Sequence, residues 1–205
     1  MKIFSALFSA ATFAAFIVLS SACSNGTPYA GAWQGNPERL DIPEASDASA
    51  TVTVDFSPNA DKKNSGIVNL SAVIEVEQPL SGTEFGAETY QTSIAATASI
   101  TGRYVSEDDD DDDIVVSFDP ASMVVNVDHS GVTFSQNILS GMQQPMLDSL
   151  TTATAEQWRI ALTPRIRDLF NRYHTIDDIK IHHQDIMSCE IADRDYTFRR
   201  VGVPD

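Results

Sequence analysis

From Thr51 onward the chain alternates. Val52, Val54 and Phe56 share one parity, and Thr51, Thr53 and Asp55 the other. Strict alternation over this length predicts a half-buried β-strand. Pro58-Asn59 and Asn64-Ser65-Gly66 punctuate a turn, and Val68, Leu70, Ala72, Ile74 and Val76 then predict a second strand. Pro79 to Gly86 reads as a loop. A long third strand is predicted from Thr89 to Ser106, with Tyr90, Ile94, Ala96, Ala98, Ile100 and Tyr104 on its apolar face. Short strands follow at Ile114 to Phe118 and Met123 to Val127, and Val132 to Phe134 extends the same sheet. The period then changes. Trp158, Leu162, Ile166, Leu169, Phe170 and Tyr173 recur at three and four residues, which predicts one face of a helix. Within it Thr163-Pro164 either starts a fresh helix or kinks a single one. Apolar residues between Ile138 and Leu150 predict another turn or two of helix. Three β segments close the chain, at Asp178 to His183, Ile186 to Ile191 and Tyr196 to Val201.

A further strand is expected around Trp33, and residues 36–50, with Pro37 and Pro43, read as a loop. The sum is a mainly β chain of about eight or nine antiparallel strands with one helical insertion before the last strands. Sequential strands with short turns predict an up-and-down β-barrel, which leaves no edge bare. A barrel of about eight strands either fills its interior or encloses one small ligand.

The N-terminus has a different pattern. Lys2 precedes an apolar run from Ile3 to Leu19, which ends in Ser20-Ser21-Ala22-Cys23. A positive end, an apolar stretch and a small-residue cleavage site make a secretory signal over residues 1–22. The segment resembles the lipobox of bacterial lipoproteins, in which small residues lead to a Cys that is diacylated and becomes the new N-terminus. Here Ser20 stands where that pattern has a branched apolar residue, and Leu19 sits one place further out. Ser20-x-Ala22 also suits an ordinary signal peptidase, which would cut the same bond and leave a free Cys23. The lipobox implies a lipid-anchored envelope protein, with the outer membrane as the expected location, a tether over residues 23–28 and a single domain over 29–205. Two or more acyl chains anchor a protein stably, at about 0.8 kcal/mol per buried methylene.

Composition narrows the partners. The 205 residues carry a net charge of −16, and loss of Lys2 with the leader makes it −17. So acidic a chain is a poor partner for nucleic acid, where binding rests on neutralising phosphates with Lys and Arg. Docking on anionic lipid by charge is disfavoured for the same reason. The two cysteines are Cys23 and Cys189. Lipidation of the first leaves the second without a disulfide partner, and its place in the alternation Met187, Cys189, Ile191 predicts a buried thiol.

Candidate chemistry is sparse. Glu107 to Asp113 is an unbroken run of carboxylates. Hard cations take oxygen ligands, but an organised calcium loop spaces them and turns on a Gly, so the run reads as a solvated hairpin tip. His182 and His183 are adjacent and point to opposite faces of a strand. His183 shares the parity of Ile179 and Ile181, which makes it the one expected inside, where a zinc site with Cys189 is conceivable across the hairpin. No Gly-x-Ser-x-Gly elbow or phosphate-binding glycine loop occurs, so the sequence indicates no catalytic residue, metal or cofactor.

Gly31-Ala32-Trp33 matches the Gly-x-Trp that opens the first strand of lipocalins, and Tyr196-Thr197-Phe198-Arg199-Arg200 ends the last strand. The chain resembles the lipocalin-like lipoproteins of Bacteroidetes over residues 29 to 201. The resemblance implies that Trp33 closes one end of the barrel beside Gly31, with Arg199 or Arg200 packed over its ring. The long helix before the last three strands departs from the family, whose helix follows the eighth strand. Two functions remain open. One is a binding module for a small apolar or amphipathic molecule, with Ala72, Ala96 and Ala98 leaving room for it. The other is a filled barrel that meets another envelope protein through its surface.

Overall fold

The computed structural model describes residues 27–61, 64–80, 90–106, 112–135 and 142–202. The leader, Cys23, Ser24 to Gly26 and the carboxylates at 107–111 lie outside the described residues, as does the side chain of Tyr90. Among the described residues eleven strands form one antiparallel sheet. They are β1 (Gly31–Gly35), β2 (Glu38–Arg39), β3 (Asp47–Pro58), β4 (Ser65–Leu80), β5 (Tyr90–Ser106), β6 (Ile114–Phe118), β7 (Val124–Asn126), β8 (Val132–Phe134), β9 (Thr175–His182), β10 (Ile186–Glu190) and β11 (Asp195–Arg200). Among the described residues one α-helix, α1 (Gln144–Asn171), precedes β9.

Eight of the strands close into a ring. β1 pairs with β3, and the order then runs β4, β5, β6, β9, β10 and β11, which returns to β1. Each ring strand pairs with the next one in sequence, so the ring is an up-and-down meander. β2, β7 and β8 are short pieces beside it, on β3 and β5. The alternation read from the sequence is the cause of this arrangement. Val52, Val54 and Phe56 of β3 and Val68, Leu70, Ala72, Ile74 and Val76 of β4 turn inward and are buried, while the residues between them face out.

Successive connections of a meander fall at alternate ends. The entry at residues 27–30, the β3–β4 turn, the β5–β6 connection, the β9–β10 turn and residues 201–202 therefore share one end, here the entry end. The β2–β3 loop, the β4–β5 connection, α1 and the β10–β11 turn share the other, the helix end.

The wall is incomplete between β5 and β9. β6 meets β9 over just two register pairs, Ile114 with Ile176 and Val115 with Thr175. Below them β7, β8 and α1 lie against β5. Ala48, Ala50, Ala72, Ala96 and Ala98 line the inner face and are all buried. Ala155, Trp158, Leu162, Ile166, Leu169 and Phe170 of α1 belong to the same continuous core. One face of α1 is thus buried in the same core as the small side chains of the sheet. Full burial of each large apolar side chain contributes about 1.5–3 kcal/mol, so α1 is held as core.

Three sequence readings need correction. Residues 36–50 are not wholly loop, because β2 pairs Glu38 with Ala50 and Arg39 with Ser49, and β3 already starts at Asp47. β9 starts at Thr175 and carries a left-handed residue at Asp178, φ 55°. His183 is exposed, because β9 ends at His182 and His183 and Gln184 turn at φ 54° and 69°. His182 pairs with Ile186, so residues 183–185 form a short turn that opens with two left-handed residues, and the strand parity does not extend into it. The question at Thr163-Pro164 resolves into a single helix with Pro164 inside it. Thr163 Oγ1 donates to the Arg159 carbonyl at 2.7 Å, and Pro164 leaves the Ile160 carbonyl without its helical donor on the exposed side.

Candidate functional site

The entry end is closed by aromatic rings. Tyr29, Phe56 and Tyr104 meet edge to face, with centroids 5.2, 5.5 and 6.1 Å apart. Trp33 is fully buried beside them, and its Nε1 donates to the Tyr29 carbonyl at 2.7 Å. The Arg200 guanidinium lies 4.2 Å from the Trp33 ring centroid. Its Nε donates to the Gln184 carbonyl at 2.8 Å, and Nη1 to that of Ala30 at 3.0 Å. Arg199, one residue back, points to the opposite face and is exposed. Gly31 has φ +104°, and a Cβ there would come 3.2 Å from Arg200 Nη1. Glycine therefore lets the strand start in the left-handed region and lets the guanidinium lie close.

The helix end is fastened by polar contacts. Trp158 Nε1 donates to Gln78 Oε1 at 3.1 Å, which places the indole against the inner face of β4. Glu38 on β2 accepts from Arg172 at 3.4 Å, from the Tyr173 hydroxyl at 3.4 Å and from the Tyr196 hydroxyl at 3.2 Å. One carboxylate thus joins β2, the end of α1 and β11. Burial, followed by the Glu38 charge, raises the pKa of both tyrosines. Sequence reading missed this junction, since a lone Glu in an expected loop gives no sign of partners more than 130 residues away.

Beside it, the loop after β2 surrounds an open cleft of about 500 Å³. Arg39, Asp41, Ser46 and Asp47 line it together with Leu40, Ile42 and Ala48, which are themselves largely buried. Such a hollow suits a polar or charged molecule better than an apolar one.

The other candidates do not converge. Cys189 is buried and His183 stands in the exposed turn, so they form no joint site. Burial, then the Asp177 charge, pushes the Cys189 thiol up to about 12. Asp113 accepts from the Asp178 backbone N–H at 2.9 Å. Burial, then the carboxylates of Asp113 and Asp178, raises the pKa of Asp177. Among the described residues no group of three acidic, His or Cys side chains is arranged to hold a metal ion, and no helix is long and apolar enough to cross a membrane.

Among the described residues the fold is an antiparallel eight-strand ring with a helix that buries one face in the ring's core. Comparison with protein-family models, with curated proteins and with solved structures found no match to this chain.

Proposed function

We propose that this chain is a bacterial envelope lipoprotein, anchored through a diacylated Cys23 at the outer membrane, whose ring is filled by its own helix and which makes its contacts through its outer surface. The observation that carries the reading is the burial of Trp158, Leu162 and Ile166 in the same core as Ala48, Ala72, Ala96 and Ala98. The space that the alanines leave goes to the helix. The stacking of Arg200 on Trp33 beside Gly31 supports the lipocalin resemblance at the closed end.

The anchor would also orient the domain. Four residue steps separate Cys23 from buried Thr27, a reach of roughly 14 Å at most. The entry end, with Asp112 and Asp113, then faces the lipid, and α1 and the β2–β3 loop face away. Carboxylates beside anionic headgroups repel them, which keeps the domain standing off the surface.

A second reading, a binding module for a small molecule, is favoured by the cleft bordered by Arg39, Asp41 and Asp47. Its volume of about 500 Å³ falls in the usual range for ligand sites. Native mass spectrometry of the protein purified from its own cells separates the readings. A covalent diacylglycerol mass on a chain starting at Cys23, with no other adduct, is the expected result. A discrete non-covalent mass that leaves on denaturation would favour the binding module, and an unmodified Cys23 would sink the anchor.

A further inference from the structure

Backbone pairing does not close the ring along its whole height. β1 pairs with β11 over three register positions, ending where Gly35 meets Phe198. β11 runs on through Thr197, Tyr196 and Asp195, which pair with β10 alone among the described residues. Across from them the chain passes through Asn36-Pro37, where proline has no N–H to give. It resumes as β2, which pairs only with β3 among the described residues. A seam is left between β2 and β11 at the helix end.

Side chains close that seam. Glu38 accepts from the Tyr196 hydroxyl on β11 at 3.2 Å, and from the Tyr173 hydroxyl and Arg172, just past α1, at 3.4 Å each. Behind them lies the core. The Tyr196 ring stacks on buried Phe198, and buried Cys189 stands opposite Tyr196 in the β10–β11 register. Hydrogen bonds to an ionised acceptor are roughly twice as strong as neutral ones, so the closure depends on the charge of one carboxylate. The Glu38 side chain is 20% exposed, and protons from solvent can reach it.

The groups that face Glu38 keep their own charge in acid. Arg172 is always protonated. Burial, followed by the Glu38 charge, raises the pKa of Tyr173 and Tyr196, and the Cys189 thiol is pushed up to about 12. β3 presents Ala50. Arg39 and Asp195 adjoin Glu38 and Tyr196 in their strands and point to the opposite face. His174 is exposed, with Nδ1 3.0 Å from the Asn171 carbonyl. Acidification therefore changes this junction at Glu38.

We propose that Glu38 is a charge latch on the seam. Ionised, it holds β2 and the end of α1 against β11. Protonated, it lets the helix end open locally while the rest of the ring stays folded. The latch gives a ring filled by its own helix one place to open without unfolding. It goes beyond the function proposed above and depends on neither the anchor nor a ligand.

The test is the labelling rate of Cys189 by a dipyridyl disulfide, which reacts in acid as well as at neutral pH, on the protein as purified from cells. Peptide mass locates the label, and urea unfolding at each pH gives the rate that global unfolding alone allows. At neutral pH E38Q should label about tenfold or more faster than wild type, since charge-assisted bonds are lost, and faster than its own global unfolding. Y196F, which removes one donor and keeps the ring, should give a smaller acceleration. As pH is lowered to about 4, where carboxylates take up protons, the ratio of the E38Q rate to the wild-type rate should fall toward one. Equal rates for E38Q and wild type at neutral pH would overturn the latch. So would E38Q labelling fully accounted for by lost global stability, or a ratio that acid leaves unchanged.

Discussion

Arg200 lies across the face of Trp33 with its guanidinium 4.2 Å from the ring centroid, and its three nitrogens reach backbone carbonyls of the entry segment and the β9–β10 turn. That contact joins the first strand of the ring to the last. R200A should destabilise the fold by about 2–4 kcal/mol, the sum of a cation–π contact and charge-assisted hydrogen bonds. R199A should cost under about 0.5 kcal/mol, since it is a surface substitution. R200K should recover only part of the loss, because an ammonium cannot supply the planar fork. Urea unfolding monitored by Trp fluorescence checks all three.

L162A should cost about 2–5 kcal/mol, as for other large-to-small changes in a packed core. Leu162 is fully buried in the core that the sheet and α1 share. Unfolding should remain a single transition by circular dichroism and by fluorescence alike. Early loss of helix ahead of the sheet would mean that α1 is only loosely applied.

Much of this was legible in the chain. Alternation in Val52–Phe56 and Val68–Val76 marked the long strands and their inward faces, because a period of two has one geometric meaning. The Trp158–Phe170 stripe marked the helix and its buried side. What the stripe faces is a tertiary fact: the same alanines are compatible with a cup and with a helix lying over them. β2 and the Glu38 junction were hidden for a related reason, since a two-residue strand has no period and its partners are far along the chain. His183 was misplaced because parity was carried one residue past the strand, into a turn.

Cys189 should be inert in the native protein. Its thiol is buried and its pKa is pushed up to about 12, so it offers almost no thiolate at neutral pH. A disulfide reagent should react at the rate of global unfolding. Reaction in seconds without denaturant would contradict the packing.

The same group fixes the sign of an alkaline effect. Below about pH 9.0 folded and unfolded chains both keep the thiol proton, and the contribution to stability is intact. As pH rises from there toward 12 the unfolded chain ionises and the folded one does not, so stability falls by up to about 1.4 kcal/mol per unit for this group. The raised pKa of Tyr173 acts in the same direction at higher pH. C189V should flatten the first part of the decline in urea titrations above pH 9.0. A stability that rises in this window would contradict the burial of the thiol.

Native-state hydrogen exchange across α1 tests most directly whether the helix fills the ring. If it does, amides from Trp158 to Phe170 exchange only through global unfolding, with the same free energy as those of β4 and β5. If those amides instead open at a markedly lower free energy while the strands stay protected, α1 is a cover over a separate cup, and the filled ring is wrong.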